Sequence, residues 1–182
     1  MCKQLVLGVA AYAFVFAISF SSSVFAQQKH PINTSSEGVK SRYVQQHAID
    51  VDDVPGHQIR VQETHREFPA ERQLVIQGEH IVESWVRGFS NYTGGIGPAW
   101  GFGTWITDKG NKIFIEYSGT SESQTTDTGS KRGTYHGTSR LVGGTGQFSK
   151  IRGTLVDSTK FDTDPKTGYN VTDSHGEYWF EQ

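Results

Sequence analysis

The sequence LVGGTGQFSKIRGTL, residues 141–155, is decisive for the fold because it predicts two strands joined by a tight glycine turn. Three glycines fall within residues 143–146, and glycine adopts positive φ at little cost, so the chain can reverse there. A phosphate-binding loop would instead continue into a helix and carry a Lys-Ser/Thr pair at a fixed spacing. The segment therefore predicts a β-hairpin, whose fold residues are Gly143, Gly144, Gly146 and Phe148.

From about residue 45 onward, apolar and polar residues alternate, glycine or Asp/Asn turns break the runs, and no helical stripe is visible. We expect strands over residues 58–68, 78–92, 100–107, 112–118, 133–142, 148–161 and 171–180, with 73–76 as a candidate short strand. Short links join these strands, and closing such a meander protects its edges. The sequence predicts an all-β fold, a single eight-stranded antiparallel up-and-down β-barrel. A β-sandwich is the alternative, because short strands with turn signals fit both.

The amino-terminal residues predict a targeting segment followed by a flexible arm. Lys3 precedes a mostly apolar run, and small residues lead up to Ala26, so residues 1–26 are interpreted as a secretory signal peptide. The run is shorter than the ~20 residues that a membrane-spanning helix needs, so we expect a secreted or periplasmic protein that is not membrane-embedded. Residues 27–44 are polar and predict a flexible arm, and residues 45–182 form the β-barrel domain.

Composition excludes several classes of function. Removal of residues 1–26 would leave 156 residues, enough for one domain with a sizeable core. Cys2 is the only cysteine, so the remaining chain has no disulfide, thiol nucleophile or cysteine metal site. Loss of Lys3 changes the formal net charge from −2 to −3, and no basic stripe is present, which argues against nucleic acid as a partner. The seven histidines have no recognised metal spacing, so we expect no metal.

The glycine turn at 143–148, the Ile-Arg-Gly step at 151–153 and the closing GEYWF strand at 176–180 together resemble the allene oxide cyclase and dirigent β-barrel group. The resemblance covers about residues 78–182 and suggests a secreted bacterial-type member. It implies an eight-stranded barrel, a homo-oligomer (dimer or trimer) and no cofactor. Dirigent proteins orient phenoxy radicals, and allene oxide cyclases close a ring in an unsaturated fatty-acid epoxide. No catalytic carboxylate of either enzyme can be matched here by motif.

Alternation places Glu83 and Arg87 on one face of the long strand, together with Ile81, Trp85 and Phe89. If this face lines a lumen, the charge pair could polarise a ligand between aromatic walls, which makes both residues candidate catalytic groups. The alternative is a surface ladder in which Arg87 pairs with an acid of a neighbouring strand.

His175 is the third candidate catalytic residue. It shares a strand face with Asp173 and Glu177, and a histidine beside carboxylates can transfer protons. A solvated outer face is the alternative interpretation.

Aromatic side chains provide the candidate ligand-binding residues. Several of them are interspersed with glycines, an arrangement that can form an apolar pocket mouth or simply a core. The candidates are Trp85, Phe89, Trp100, Phe102, Trp105 and Tyr135. The loop over residues 93–98 is glycine-rich and is a candidate lid.

Three functions remain open from the sequence. The first is a secreted barrel that binds a small apolar or aromatic ligand, such as a fatty-acid derivative or a phenolic. The second is a cofactor-free isomerase or cyclase, and the third is a structural or interaction barrel with a filled interior.

Overall fold

The computed structural model describes residues 27–164, 166 and 168–182, so the predicted signal peptide lies outside the described residues. Within these ranges there is no α-helix, and hence no helix long and apolar enough to cross a membrane. Two 3-10 turns cover Ala70–Arg72 and Gly146–Phe148. The strands are β1 His30–Ser35, β2 Lys40–Asp50, β3 His57–Glu67, β4 Val75–Ile76, β5 Glu79–Thr93, β6 Ile96–Thr107, β7 Lys112–Thr125, β8 Lys131–Gly144, β9 Ile151–Asp162 and β10 Tyr169–Phe180.

All the pairings are antiparallel, and the strands form one large sheet in the order β1-β10-β9-β8-β7-β6-β5-β3-β2, with β4 paired to the start of β5. The all-β prediction is therefore confirmed. The sheet has ten strands rather than the eight predicted. Its edge strands, β1 and β2, are not joined to each other by a backbone ladder.

The predicted flexible arm over residues 27–44 is wrong for most of its length. β1 pairs with β10, and β2, which starts at Lys40, pairs with β3. Sequence alternation does not reveal β1, because only Ile32 among its residues is apolar, and that side chain is completely buried. Backbone hydrogen bonds to an existing sheet edge hold this polar segment in place.

The apolar core fills one end of the curled sheet. Because the strands are antiparallel, the start of β5, β7 and β9 lies beside the end of β8 and β10, and each contributes buried side chains there. The cluster consists of Ile32, Ile76, Ile81, Ile113, Ile115, Leu141, Phe148, Ile151, Leu155 and Tyr178. The predicted hairpin between β8 and β9 is confirmed, and its 3-10 turn places Phe148 in this core with no exposed surface.

The Glu79 side chain, at the start of β5, is hydrogen-bonded to the β6–β7 turn and to the β8–β9 glycine turn. Its buried carboxylate accepts hydrogen bonds from Thr107 Oγ1 at 2.6 Å, from Asn111 Nδ2 and from Gln147 Nε2. The Thr107 hydrogen bond, followed by those of Asn111 and Gln147, lowers the pKa of Glu79 below its ordinary value of 4.5. The glycine turn is thus anchored to the β6–β7 turn as well as to its own strands.

Side chains connect β2 and β3, at one side of the sheet, to β10, at the other. Arg66 Nη2 on β3 donates to Asn170 Oδ1 and, at 3.0 Å, to Thr172 Oγ1 on β10. Asn170 Nδ2 donates in turn to Tyr43 Oη on β2 at 3.4 Å. We call this junction, formed by Tyr43, Arg66, Asn170 and Thr172, the seam. The seam connects the two sides of the sheet at a place where no backbone ladder joins them.

Candidate functional site

A cavity of about 150 Å³ lies inside the curled sheet, beyond the apolar core. Every long strand from β2 to β10, leaving out the two-residue β4, contributes side chains to its wall. The wall is mixed: Val86, Ile115 and Leu155 are apolar, whereas serine, threonine and tyrosine hydroxyls line much of the rest. An interior of this size suits one small ligand.

A β-bulge decides which face of β5 points into this cavity. The pairing with β6 shifts between Ile81 and Glu83, so Val82 is the extra residue. Before the bulge the odd-numbered Glu79 and Ile81 are buried, and after it the even-numbered Ser84 and Val86 line the cavity. The prediction that Ile81, Glu83 and Arg87 share one face is therefore wrong, because a bulge interrupts strict alternation.

Glu83 and Arg87 lie on the outer face. Arg87 Nη2 forms an ion pair with Glu63 Oε1 at 2.9 Å, and its side chain is 53% exposed. Glu83 accepts a hydrogen bond from Trp85 Nε1 at 3.2 Å, and Trp85 stacks on His65. This arrangement is the surface ladder of the alternative interpretation, and it keeps both charges and Trp85 out of the lumen.

The candidate aromatic residues divide between the two faces of the sheet. Trp105 and Tyr135 line the cavity, and Phe89 borders it while remaining 37% exposed. Phe89 stacks on Trp100 outside the sheet with ring centroids 6.1 Å apart, and Phe102 is 54% exposed on the same side. Trp100 and Phe102 therefore do not line the cavity.

His175 is exposed on β10, beside the paired positions of Asn33 and Val156 on the neighbouring strands. The buried Ser174 next to it points into the cavity. The solvated-face alternative thus describes His175, and the structure does not bring it together with Glu83 and Arg87.

The candidate lid over residues 93–98 is a tight hairpin instead of a loop. Gly94 and Gly95, with φ of +60° and +87°, form the whole connection between β5 and β6. Two consecutive residues with positive φ suit the twist of a two-residue hairpin, which leaves no free segment to close over the cavity.

Asp157 is the only carboxylate in the described lining of the cavity. It is buried and accepts hydrogen bonds from Ser174 Oγ at 2.6 Å and from Ser139 Oγ. Hydroxyl donors from β8 and β10 thus stabilise the carboxylate of β9, which forms no ion pair within the described part of the chain. An acceptor held this firmly inside a cavity can orient a hydroxyl group of a ligand.

Tyrosine side chains fit over glycines within the cavity. A Cβ at Gly88 would overlap the Tyr117 hydroxyl, and a Cβ at Gly137 would overlap that of Tyr135. The two rings meet edge to face with centroids 5.9 Å apart. The Tyr135 hydroxyl is buried and has no hydrogen-bond partner among the described residues, so it is available to a ligand.

Burial raises the pKa of both Tyr117 and Tyr135 above the ordinary value of 10.0, and the negative charge of Asp157 adds to the effect at Tyr135. Both hydroxyls are therefore protonated hydrogen-bond donors at neutral pH. In the unfolded chain they would ionise near pH 10, whereas in the folded protein they stay neutral. Their contribution to stability is thus fully present below pH 10 and is lost as the pH rises beyond it.

We expect Tyr117→Phe and Tyr135→Phe each to remove one late component from the phenolate absorbance titration of the folded protein. The component should have a midpoint above pH 10, because burial opposes the phenolate. Absorbance near 295 nm measured against pH checks this, with circular dichroism at each pH to confirm folding. Loss of a component at the ordinary midpoint would show that these hydroxyls are solvated.

Arg66 is a second cavity residue with an unsatisfied polar atom. Its described hydrogen bonds all run through Nη2 to the neutral acceptors Asn170 and Thr172, and its buried Nε has no acceptor among the described residues. No carboxylate within the described part of the chain forms an ion pair with it. Burial lowers its pKa from the ordinary 12.5, as desolvation of a cation requires.

Sequence reasoning did not single out Arg66 or Asp157. On β3 the apolar Ile59 and Val61 face outward and are 45% and 44% exposed, while Arg60, Gln62, Thr64 and Arg66 line the cavity. The usual assumption of apolar-in and polar-out would assign the opposite faces. The alternation of apolar and polar residues on β3 correctly indicated a strand with two different faces. It did not indicate that the polar face is the one that lines the cavity.

Comparison with known proteins does not assign the chain to a family. No protein-family model, no curated protein and no solved structure matches the sequence. The chemical character of the cavity is given by its own side chains. Among the described residues of its wall, Arg60 and Arg66 carry positive charge and Asp157 carries the negative charge, beside four tyrosines.

Proposed function

We propose that this protein is a secreted or periplasmic small-molecule-binding barrel whose ligand occupies the cavity inside the curled sheet. The observation that carries the proposal is the unfilled, partly polar interior of about 150 Å³, in which the Tyr135 hydroxyl and Arg66 Nε lack partners among the described residues. Buried polar groups without partners cost stability, and a ligand that satisfies them recovers that cost.

The closed, eight-stranded form belongs to the same proposal. The eight long strands β2, β3 and β5–β10 surround the cavity, and the hydrogen bonds of the seam act where a backbone ladder is missing. This arrangement supports a barrel similar to those of allene oxide cyclases and dirigent proteins. Of the two ligand classes expected, the size and hydroxyl-rich wall favour a single-ring phenolic over a long acyl chain, since a dry apolar cavity near 150 Å³ holds about one benzene ring.

Native mass spectrometry of the protein purified from the secreted or periplasmic fraction of its own host tests this function. We expect a retained small molecule, released on denaturation and recaptured when a phenolic is added. Tyr135→Phe should weaken recapture by about three- to tenfold, because it removes one buried hydrogen-bond donor. Phe102→Leu on the outer face is the matched control and should capture as well as the wild type. A protein that carries and captures nothing would favour the structural barrel instead.

A cofactor-free isomerase or cyclase is the second candidate function. It is favoured by the convergence of a buried carboxylate, a protonated phenol and a guanidinium in one cavity, in the form of Asp157, Tyr135 and Arg66. Such groups can move protons or stabilise developing charge away from water. Isomerisation leaves the mass unchanged, so the captured compound must be compared by chromatography before and after incubation. Recovery of the unaltered compound alone would leave the binding function.

We also propose that the barrel is a homo-oligomer. Val61, Phe89 and Trp100 occupy successive paired positions on β3, β5 and β6, and all three are exposed on the outer face. With Ile59 and Phe102 they form a continuous apolar patch, of the kind that marks an interaction surface. The masses in the same native spectra test this, and a pure monomer at working concentration would contradict it.

A further inference from the structure

Within the proposed binding function, we infer that the cavity takes a small anionic ligand, a single-ring phenolic carboxylate, whose carboxylate group binds Arg66. This inference rests on the proposed function, because it names the chemical class of the ligand for that same cavity. Three independent features of the wall support it: the state of Arg66, the charge balance around it and the position of Asp157.

The first feature is the unpaired guanidinium. Arg66 is half-buried, and its Nε atom is buried. An arginine whose guanidinium is partly removed from water normally has a carboxylate or phosphate partner, because the lost solvation is costly. Arg66 instead contacts only the neutral acceptors Asn170 and Thr172 through Nη2, and its Nε–H points at no acceptor among the described residues. A planar carboxylate matches the fork of donors that a guanidinium offers.

The second feature is the charge balance. In the described wall, two arginines face a single carboxylate, so the interior carries a net positive charge. Arg60 donates to Gln46 Oε1 at 3.0 Å, an exposed interaction, whereas Arg66 lies deeper at the seam. An anion in the cavity would restore neutrality.

The third feature is the separation of Asp157 from Arg66. The two residues line the same cavity but form no ion pair, and Ser139 and Ser174 each donate one hydrogen bond to the carboxylate, which keeps further acceptor capacity. Asp157 can accept a hydrogen bond from the phenol of a ligand, and the Tyr135 hydroxyl can donate a hydrogen bond to the oxygen of that phenol. A ligand with a carboxylate at one end and a hydroxyl at the other satisfies both ends of this site.

Arg66 also separates two spaces. It lines both the main cavity and a second one of about 50 Å³, and Trp105, Thr172 and Ser174 are common to both walls. The second cavity has Phe68, Leu74 and Ile81 in its wall, so its apolar side faces the core. The guanidinium is thereby flanked by apolar surface on the core side, which strengthens its electrostatic interaction with an anion in the main cavity.

The test compares two probes that share the phenol ring and differ in the para group, the anionic 4-hydroxybenzoate and the neutral 4-hydroxybenzamide, by calorimetry or NMR titration of the purified protein at pH 7. We expect the wild type to bind the carboxylate about 10–100-fold more tightly, as a charge-assisted bidentate pair in a desolvated site allows. Arg66→Gln should abolish this preference while leaving amide binding within about threefold, and Arg66→Lys should retain part of it. Arg87→Gln on the outer face, which removes an arginine that does not line the cavity, is the matched control and should preserve the preference.

The outcomes separate this inference from the proposed function. Equal binding of both probes by the wild type would overturn the anionic subsite and leave the binding function standing. Binding of neither probe up to millimolar concentration would count against both. Because the first comparison uses the wild type, it holds even if Arg66→Gln fails to fold, and the dispersed NMR spectrum of each variant reports on its folding.

Discussion

Phe148→Ala is expected to lower the free energy of unfolding by about 3–5 kcal/mol, the range for deleting a buried aromatic ring. Phe148 has no exposed surface and packs among the isoleucines and leucines that fill one end of the sheet. The 3-10 turn that carries it is held by hydrogen bonds from Phe148 N to Thr145 O and from Ser149 N to Gly146 O. The turn cannot easily move to refill the space, so the cavity term adds to the lost burial.

Urea denaturation followed by tryptophan fluorescence measures the effect of Phe148→Ala. The matched control is Phe114→Ala, the same chemical change at a side chain that is 39% exposed and lies outside the proposed oligomer patch, and it should cost less than about 1 kcal/mol. Equal losses in the free energy of unfolding of the two variants would mean that the Phe148 side chain does not stabilise the core. A change in the urea dependence of one variant would indicate an altered unfolded state and would prevent a direct comparison.

The strand pattern from β3 to β10 could be predicted from sequence because its signals are local. The β6–β7 hairpin has an Asp-Lys-Gly-Asn turn, and the β8–β9 hairpin has its three glycines. In each case residues within the turn itself favour the reversal. The predicted strands at 58–68 and 78–92 likewise match β3 and β5 to within a residue at each end.

The amino-terminal strands were harder to predict. β2 is mostly exposed, and its burial alternates only over its first residues, where Ser41 and Tyr43 are half-buried. It pairs with β3 across the turn over residues 51–56, with a register shift between Tyr43 and Gln45. β1 instead pairs with β10 at the other end of the chain, and pairing at that distance is invisible to a window of neighbouring residues.

The candidate site was harder to predict than the fold, because it depends on which face of each strand is inside. On β6, Trp100 and Phe102 differ in parity from Trp105, so one strand could not have placed all three in a pocket. On β5, the bulge at Val82 changes the parity of the strand. On β3 the polar side chains line the cavity while Ile59 and Val61 face outward, which reverses the usual apolar-in pattern.

Gly144→Val is expected to lower the free energy of unfolding by ~3 kcal/mol or more, toward the upper end of overpacking effects. The sequence suggested that this glycine is needed for a positive φ, and that reason is wrong. Positive φ occurs at Gly143 (+143°) and Gly146 (+55°), but not at Gly144. The constraint on Gly144 is steric: a Cβ there would overlap the Lys112 carbonyl oxygen and lie 2.8 Å from Phe148 Cβ.

The obstacle at Gly144 is backbone, which cannot rotate away as a side chain can. The Lys112 oxygen accepts a hydrogen bond from Thr145 N at 2.8 Å, so displacing it would separate β7 from the turn and shift Phe148 as well. Gly144→Ala adds a Cβ that meets the same contacts, and Gly110→Ala is its matched control. Gly110 has φ of +80° and empty space around its Cβ, so Gly110→Ala should show only the conformational cost of about 1–2 kcal/mol. If Gly144→Ala lowers the free energy of unfolding more than Gly110→Ala does, the steric contact is what constrains Gly144. The reverse order would mean that the backbone conformation of a glycine matters more than its contacts.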